Sequence, residues 1–93
     1  MAKIYVVNSQ SQADFKAYLV DSSSQADLLI YEVNSQSQAK GDDKWYYVNS
    51  QSQADSKLFW VNSRSQADIN VMFVNSLSQA KWNKSHKLVG RIG

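Results

Sequence analysis

Val7-Asn8-Ser9-Gln10-Ser11-Gln12-Ala13-Asp14 is written six times along the chain with few changes, and the spacing of the copies decides the architecture. The leading valine recurs at Val7, Val20, Val33, Val48, Val61, Val74 and Val89, at intervals of 13, 13, 15, 13, 13 and 15 residues. Thirteen residues form the unit, and each interval of 15 holds a two-residue insertion. A longer period overlies the short one, because the first three copies map onto the next three with a constant shift of 41. The last residue of the motif follows it: Asp14, Asp27, Lys40, then Asp55, Asp68, Lys81. Both insertions follow a lysine copy, at Gly41-Asp42-Asp43-Lys44 and Trp82-Asn83-Lys84-Ser85. Such repetition predicts a single repeat domain over residues 1–93. It comprises six 13-residue units and a closing seventh strand, in two pseudo-symmetric 41-residue halves at about 7–47 and 48–88.

Between one Ala and the next Val the chain alternates with period two, the pattern of a strand. In Ala13–Val20 one face carries Ala13, Phe15, Ala17 and Leu19, expected to point into a core, and the other carries Asp14, Lys16, Tyr18 and Val20. Tyr, Val, Ile, Phe and Trp favour strands, and seven short strands are expected. Glu32 is odd in its column, which otherwise holds Val6, Leu19, Tyr47, Trp60, Phe73 and Leu88. A buried carboxylate there would need a partner, a Lys or Arg91; the simpler expectation is that the column opens to solvent at that unit.

The connectors have their own chemistry. Ser9-x-x-Gln12 has the spacing of a capping box, in which the Ser oxygen accepts from the third helical N–H and the Gln side chain reaches back. It recurs at Ser22/Gln25, Ser35/Gln38, Ser50/Gln53, Ser63/Gln66 and Ser76/Gln79. One turn of α- or 3₁₀-helix is predicted at each, with a plain polar β-turn as the alternative. The fold class expected is therefore a mixed α/β repeat of seven short β-strands linked by one-turn helices. No proline occurs, and Gly41, Gly90 and Gly93 are the only glycines, which disfavours glycine-tipped hairpins. Ordinary parallel crossovers need about a dozen residues, so the strands must be joined in a less usual way.

Composition bounds the chemistry. Hydrophobic residues are 43% of the 93 and aromatics 12%, enough for one modest core. Cysteine is absent, so neither disulfides nor thiolate metal sites are available. Ten Lys/Arg against eight Asp/Glu, with both signs scattered, form no phosphate-binding footprint. No signal peptide is evident near Ile4-Tyr5-Val6-Val7, and no apolar run reaches membrane-spanning length. A cytoplasmic protein is expected.

With the repeat laid out, the chain resembles the small bacterial Septknot proteins, whose tandem units have the form V-[ND]-S-x-x-x-A-D followed by a short aromatic-rich strand. The residues carrying the resemblance are Val7-Asn8-Ser9 with Ala13-Asp14, Val20-Asp21-Ser22 with Ala26-Asp27, and Val61-Asn62-Ser63 with Ala67-Asp68. The inserted Lys40-Gly41-Asp42-Asp43-Lys44-Trp45 and Ala80-Lys81-Trp82 match as well. The resemblance implies a monomer whose backbone is deeply tied in a seven-crossing torus knot, with no catalytic motif. The uniform Ser/Gln connectors depart from a family pattern that often places Tyr or Glu there.

Catalysis needs unlike residues converging on one point, whereas these connectors are near copies. His86 is the only histidine and lacks the partners of a triad or a metal site. Asp42 and Asp43 beside Gly41 could hold a divalent cation, but adjacent carboxylates on a short loop more often mark a solvated turn. The twelve motif serines lack a neighbouring base. Tyr5, Tyr18, Tyr31 and Tyr46 share one strand position on the face of Lys3, Lys16 and Lys44. That face could stack single-stranded nucleic acid or be a packed outer layer with lysines at its rim. No cofactor, metal or catalytic residue is expected. The sequence points to a non-enzymatic, unfolding-resistant interaction module of unknown partner, with single-stranded nucleic-acid binding as the alternative and a hydrolase around His86 as the weakest reading.

Overall fold

A computed structural model of the chain describes residues 2–93. Six strands, β1 (Ala2–Val6), β2 (Phe15–Leu19), β3 (Leu28–Glu32), β4 (Lys44–Tyr47), β5 (Ser56–Trp60) and β6 (Ile69–Phe73), pair in parallel in the order β4-β1-β5-β2-β6-β3. β3 also pairs with β4, so the sheet closes on itself as a six-stranded parallel barrel. The seventh strand, β7 (Lys81–Trp82), lies antiparallel on Leu28 and Leu29 of β3. β1, β2 and β3 occupy alternate places in the ring, and β4, β5 and β6 fill the gaps. Each step passes over one neighbour, except that β3 is followed by the adjacent β4.

Register explains how short connectors achieve this. Residues 2–4 of β1 pair with β4, while residues 4–6 pair with β5, and every later strand divides its length in the same way. So large a stagger means strongly tilted strands. A tilted five-residue strand gains little height, and the residues 7–14 that join β1 to β2, reaching at most about 28 Å, suffice to return along the outside.

The motif now has a physical reading. Its valine N–H donates to a neighbouring strand in all six copies: Val7 to Leu58, Val20 to Val71, Val33 to Trp45, Val48 to Ile4, Val61 to Ala17 and Val74 to Ile30, at 2.8–3.0 Å. Its aspartate clamps the start of the next strand. Asp14 donates its N–H to the Lys57 carbonyl at 2.7 Å, and its Oδ2 accepts the Lys57 N–H at 2.8 Å. Asp27 does the same with Asn70, Asp55 with Lys3 and Asp68 with Lys16. The two copies that end in lysine, Lys40 and Lys81, are those where the step changes: one precedes β4, adjacent to β3, and the other begins β7. The departures from the repeat thus mark the seam of the barrel.

Three expectations need correction. The fold is not mixed α/β, for every helical segment among the described residues is a single 3₁₀ turn: Gln10–Gln12, Ser23–Gln25, Gln36–Gln38, Gln51–Gln53, Arg64–Gln66 and Leu77–Gln79. The capping boxes do not form. Ser9, Ser22, Ser35, Ser50, Ser63 and Ser76 hold the N-cap position with extended backbone, but only Ser63 accepts a backbone N–H, from Ser65 at 3.3 Å. In a 3₁₀ turn the N–H a capping box would satisfy is already taken: the N–H groups of Gln12, Gln25, Gln38, Gln53, Gln66 and Gln79 donate to the carbonyls of those six serines at 3.0–3.1 Å. Each N-cap hydroxyl pairs instead with the serine two residues on, as Ser9 with Ser11 at 2.9 Å. Finally, the closing strand lies at Lys81–Trp82, and Leu88 does not complete the column of Val6 and Leu19; it sits among turns that pack on the core.

Candidate functional site

Inside a closed barrel every second side chain points to the axis. Ile4, Ala17, Ile30, Trp45, Leu58 and Val71, one from each strand, are fully buried. Towards the N-terminal ends of the strands, Ala2, Phe15, Leu28, Ser56 and Ile69 are buried as well. Trp45 anchors this interior; the small Ala2 pairs beside it, and its ring meets those of Phe15, Tyr47, Trp60 and Phe73 at 6.0–6.4 Å between centroids. A second small cluster, Val20, Ala26 and Leu29 with Tyr18, Met72 and Val74 against it, lies outside the barrel wall under the connectors.

The two ends of the barrel differ. The N-terminal end is stoppered by the chain's last residues, with Asp42 as the fastening. Buried in its loop, Asp42 accepts four N–H groups: Ile92 at 3.1 Å and Gly93 at 2.9 Å on Oδ1, and Trp82 Nε1 at 3.0 Å and Gly90 on Oδ2. The Ser56 hydroxyl donates to the Ile92 carbonyl at 2.6 Å, and the Ile92 side chain is buried in the core. Trp45 Nε1 donates to the Asp42 carbonyl at 2.7 Å. The Asp42 carboxylate is saturated by these donors, while Asp43 pairs with Lys44 at 3.3 Å. Among the described residues no group of three or more His, Cys, Asp or Glu is placed to hold a metal ion.

His86 belongs to the same stopper. Its Nδ1 accepts the Leu88 N–H at 3.1 Å, so the proton sits on Nε2, which donates to the Asp68 carbonyl at 2.9 Å. The ring stacks on Trp82 with 5.7 Å between centroids. Both nitrogens are occupied in holding the segment, and no motif serine is bonded to either.

The opposite end is open. The last inward-directed residue of each strand forms a ring of Val6, Leu19, Glu32, Tyr47, Trp60 and Phe73. Val6 is 41% exposed, Leu19 53% and Tyr47 38%, while Trp60 and Phe73 lie half-buried on the core. Leu19, expected in the core, stands exposed because the strand ends at the rim, whereas Val20, expected on the amphipathic outer face, is buried in the second cluster under its connector. Glu32 is exposed, as expected of a column open to solvent at that unit, and no ion pair joins it to Arg91. Burial, and next the Glu32 carboxylate beside it, push the Tyr47 phenol well above its ordinary pKa. Leu19 and Phe73 also line a groove of about 600 Å³ whose other lining residues include Tyr18, Met72, Asp21, Gln25 and Arg64. In (β/α)8 barrels, whose strands are also parallel, the C-terminal ends of the strands are where ligand-contacting residues gather. The sequence hid this ring by making it look like core.

The Lys/Tyr face lies on the outside of the wall. Lys3, Tyr5, Lys16, Tyr18, Tyr31, Lys44 and Tyr46 are all half-buried, with the stem of Tyr18 in the second cluster and Lys44 held by Asp43. They form a packed outer layer more than an open stacking platform.

The fold is thus a small, closed, parallel barrel whose strands are joined by six like 3₁₀ turns. The chain belongs to the Septknot family, described as the 7(1) septoil knot domain, whose model matches residues 1–83. The stopper from Lys84 onward lies beyond the matched residues. No curated protein and no solved structure matches the chain. No helix among the described residues is long and apolar enough to cross a membrane.

Proposed function

We propose that this protein is a non-enzymatic, monomeric interaction module whose backbone is knotted and which therefore resists unfolding and proteolytic threading. The observation that carries this reading is the path of the chain: three strands make a first lap of the barrel, and the next three make a second lap in the gaps left by the first. The two laps correspond to the two repeat halves, and the family's description as a septoil knot fits the same path. A chain wound through its own ring must be withdrawn as well as unpacked, which raises the barrier to opening without requiring a large equilibrium stability. The absence of catalysis is supported by the engagement of His86 and Asp42 and by the sameness of the six corners.

The test is kinetic. Unfolding in guanidinium, followed by tryptophan fluorescence and extrapolated to water, is expected at about 10⁻⁵ s⁻¹ or slower. A chain cut at a protease site placed in the connector 49–53, but otherwise intact, is expected to unfold at least about tenfold faster, since it can leave without withdrawal. Equal rates for the cut and uncut forms would overturn the proposal.

A further inference from the structure

The ring at the open end combines features that the stability of the fold does not require. Of the five exposed large hydrophobics among the described residues, three (Val6, Leu19 and Tyr47) stand in this one ring, over the half-buried Trp60 and Phe73. Aromatic and aliphatic side chains over a rigid base are what a binding hot spot is made of. The only ionic group of the ring is Glu32, and among the described residues no Lys, Arg or His side chain pairs with it. Tyr47 beside it offers a neutral hydroxyl and no opposite charge. An apolar partner placed over this ring would leave the carboxylate desolvated and uncompensated, a costly arrangement. A partner with one cation among apolar groups would instead use it.

A second copy of the chain is a poor occupant. A two-fold contact through the same patch puts like surfaces together, bringing two uncompensated carboxylates into one apolar interface. The groove that shares Leu19 and Phe73 with the ring extends the surface to one side, and its lining includes Asp21, Gln25 and Arg64, polar side chains that can meet the N–H and C=O groups of an extended backbone.

We propose that the open end and its groove dock an extended segment of a different protein, apolar except for one Lys or Arg side chain that meets Glu32. This deepens the interaction-module reading and rests on it. The ring supplies anchoring area, Glu32 selects the cation, and the groove receives the chain on one side of it. Because the barrel beneath is closed and packed, the surface is preformed and little ordering is lost on its side.

The experiment is a selection of random twelve-residue peptides displayed on phage against the whole protein, followed by fluorescence anisotropy of the enriched peptides. Enriched peptides are expected to share one Arg or Lys flanked by apolar residues. Glu32→Gln should weaken them about five- to tenfold, Leu19→Ser by a similar factor, and Lys81→Ala, beside the N-terminal end of β3 and away from the ring, not measurably. Glu32 and Leu19 are exposed, so both variants should fold, which circular dichroism checks. Glu32→Lys should reverse the preference towards acidic peptides. Enriched peptides indifferent to both ring substitutions would overturn this site while leaving the interaction-module reading in place; no enrichment at all would sink both. A dimer in sedimentation that Leu19→Ser dissociates would show the second copy to be the occupant and overturn the proposal.

Discussion

At the scale of single residues, carboxylates do the fastening. Asp14, Asp27, Asp55 and Asp68 each turn a strand start into a two-point attachment, accepting a backbone N–H with one carboxylate oxygen while donating their own N–H to the same residue. Asp14→Ala removes the accepting half at an exposed position and should cost about 1 kcal/mol in urea unfolding, with Asp14→Asn costing less because it keeps an acceptor. Asp42 is buried and meets four donors, and an amide in its place would present its own N–H groups to some of them. Asp42→Asn should cost about 3 kcal/mol and should expose Lys87 and Arg91 to trypsin, which limited digestion would reveal. Tyr47 contributes a pH dependence with a definite sign. Its folded pKa is raised, so its neutral form is favoured in the native state; the stability it lends is complete below the ordinary tyrosine pKa near 10 and declines as pH rises above it. Tyr47→Phe should flatten the alkaline side of a Tm-against-pH curve relative to the parent.

At the scale of elements, what a unit does to itself was legible, and what units do to each other was not. The alternation in Phe15–Leu19 and its copies locates strands because side-chain direction is local, and the Ser-x-x-Gln spacing locates helical turns for the same reason. The bonds within those turns were misjudged because the three-residue turn uses the i→i+3 carbonyl, which removes the donor a capping box would serve. The open ring escaped notice because Trp60 and Phe73 have core chemistry, and only the closure of the barrel puts the last residue of each strand at a rim. Leu88 was misplaced because the pull of Asp42 on Gly90, Ile92 and Gly93 comes from 48 to 51 residues away. That stopper is testable as an element. Ile92→Ala should cost about 2–4 kcal/mol, since a fully enclosed aliphatic side chain is lost from a site that cannot collapse; differential scanning calorimetry reads it directly. Gly90→Ala should cost about 1 kcal/mol although a methyl group there would meet no neighbour, because its φ of +79° is in the left-handed region.

At the scale of the whole molecule, two laps of strands share one core, so neither lap has an interior of its own. The first lap contributes Ile4, Ala17 and Ile30 to the central layer, and the second contributes Trp45, Leu58 and Val71. Half of the chain would leave half of a barrel, with its apolar side in water. Folding must therefore bring together partners far apart in sequence, such as Ile4 with Ser56 and Phe15 with Leu58, before much is gained. Such long-range pairing slows folding. Closure also has a colloidal consequence. Sheets recruit one another through strands whose amide and carbonyl groups lack a mate. Here each of the six main strands has neighbours on both flanks, and among the described residues only the two-residue β7 keeps an unmated side. A crowded solution of this protein therefore offers almost nothing for a cross-β fibril to copy, however many valines and aromatics its sequence contains.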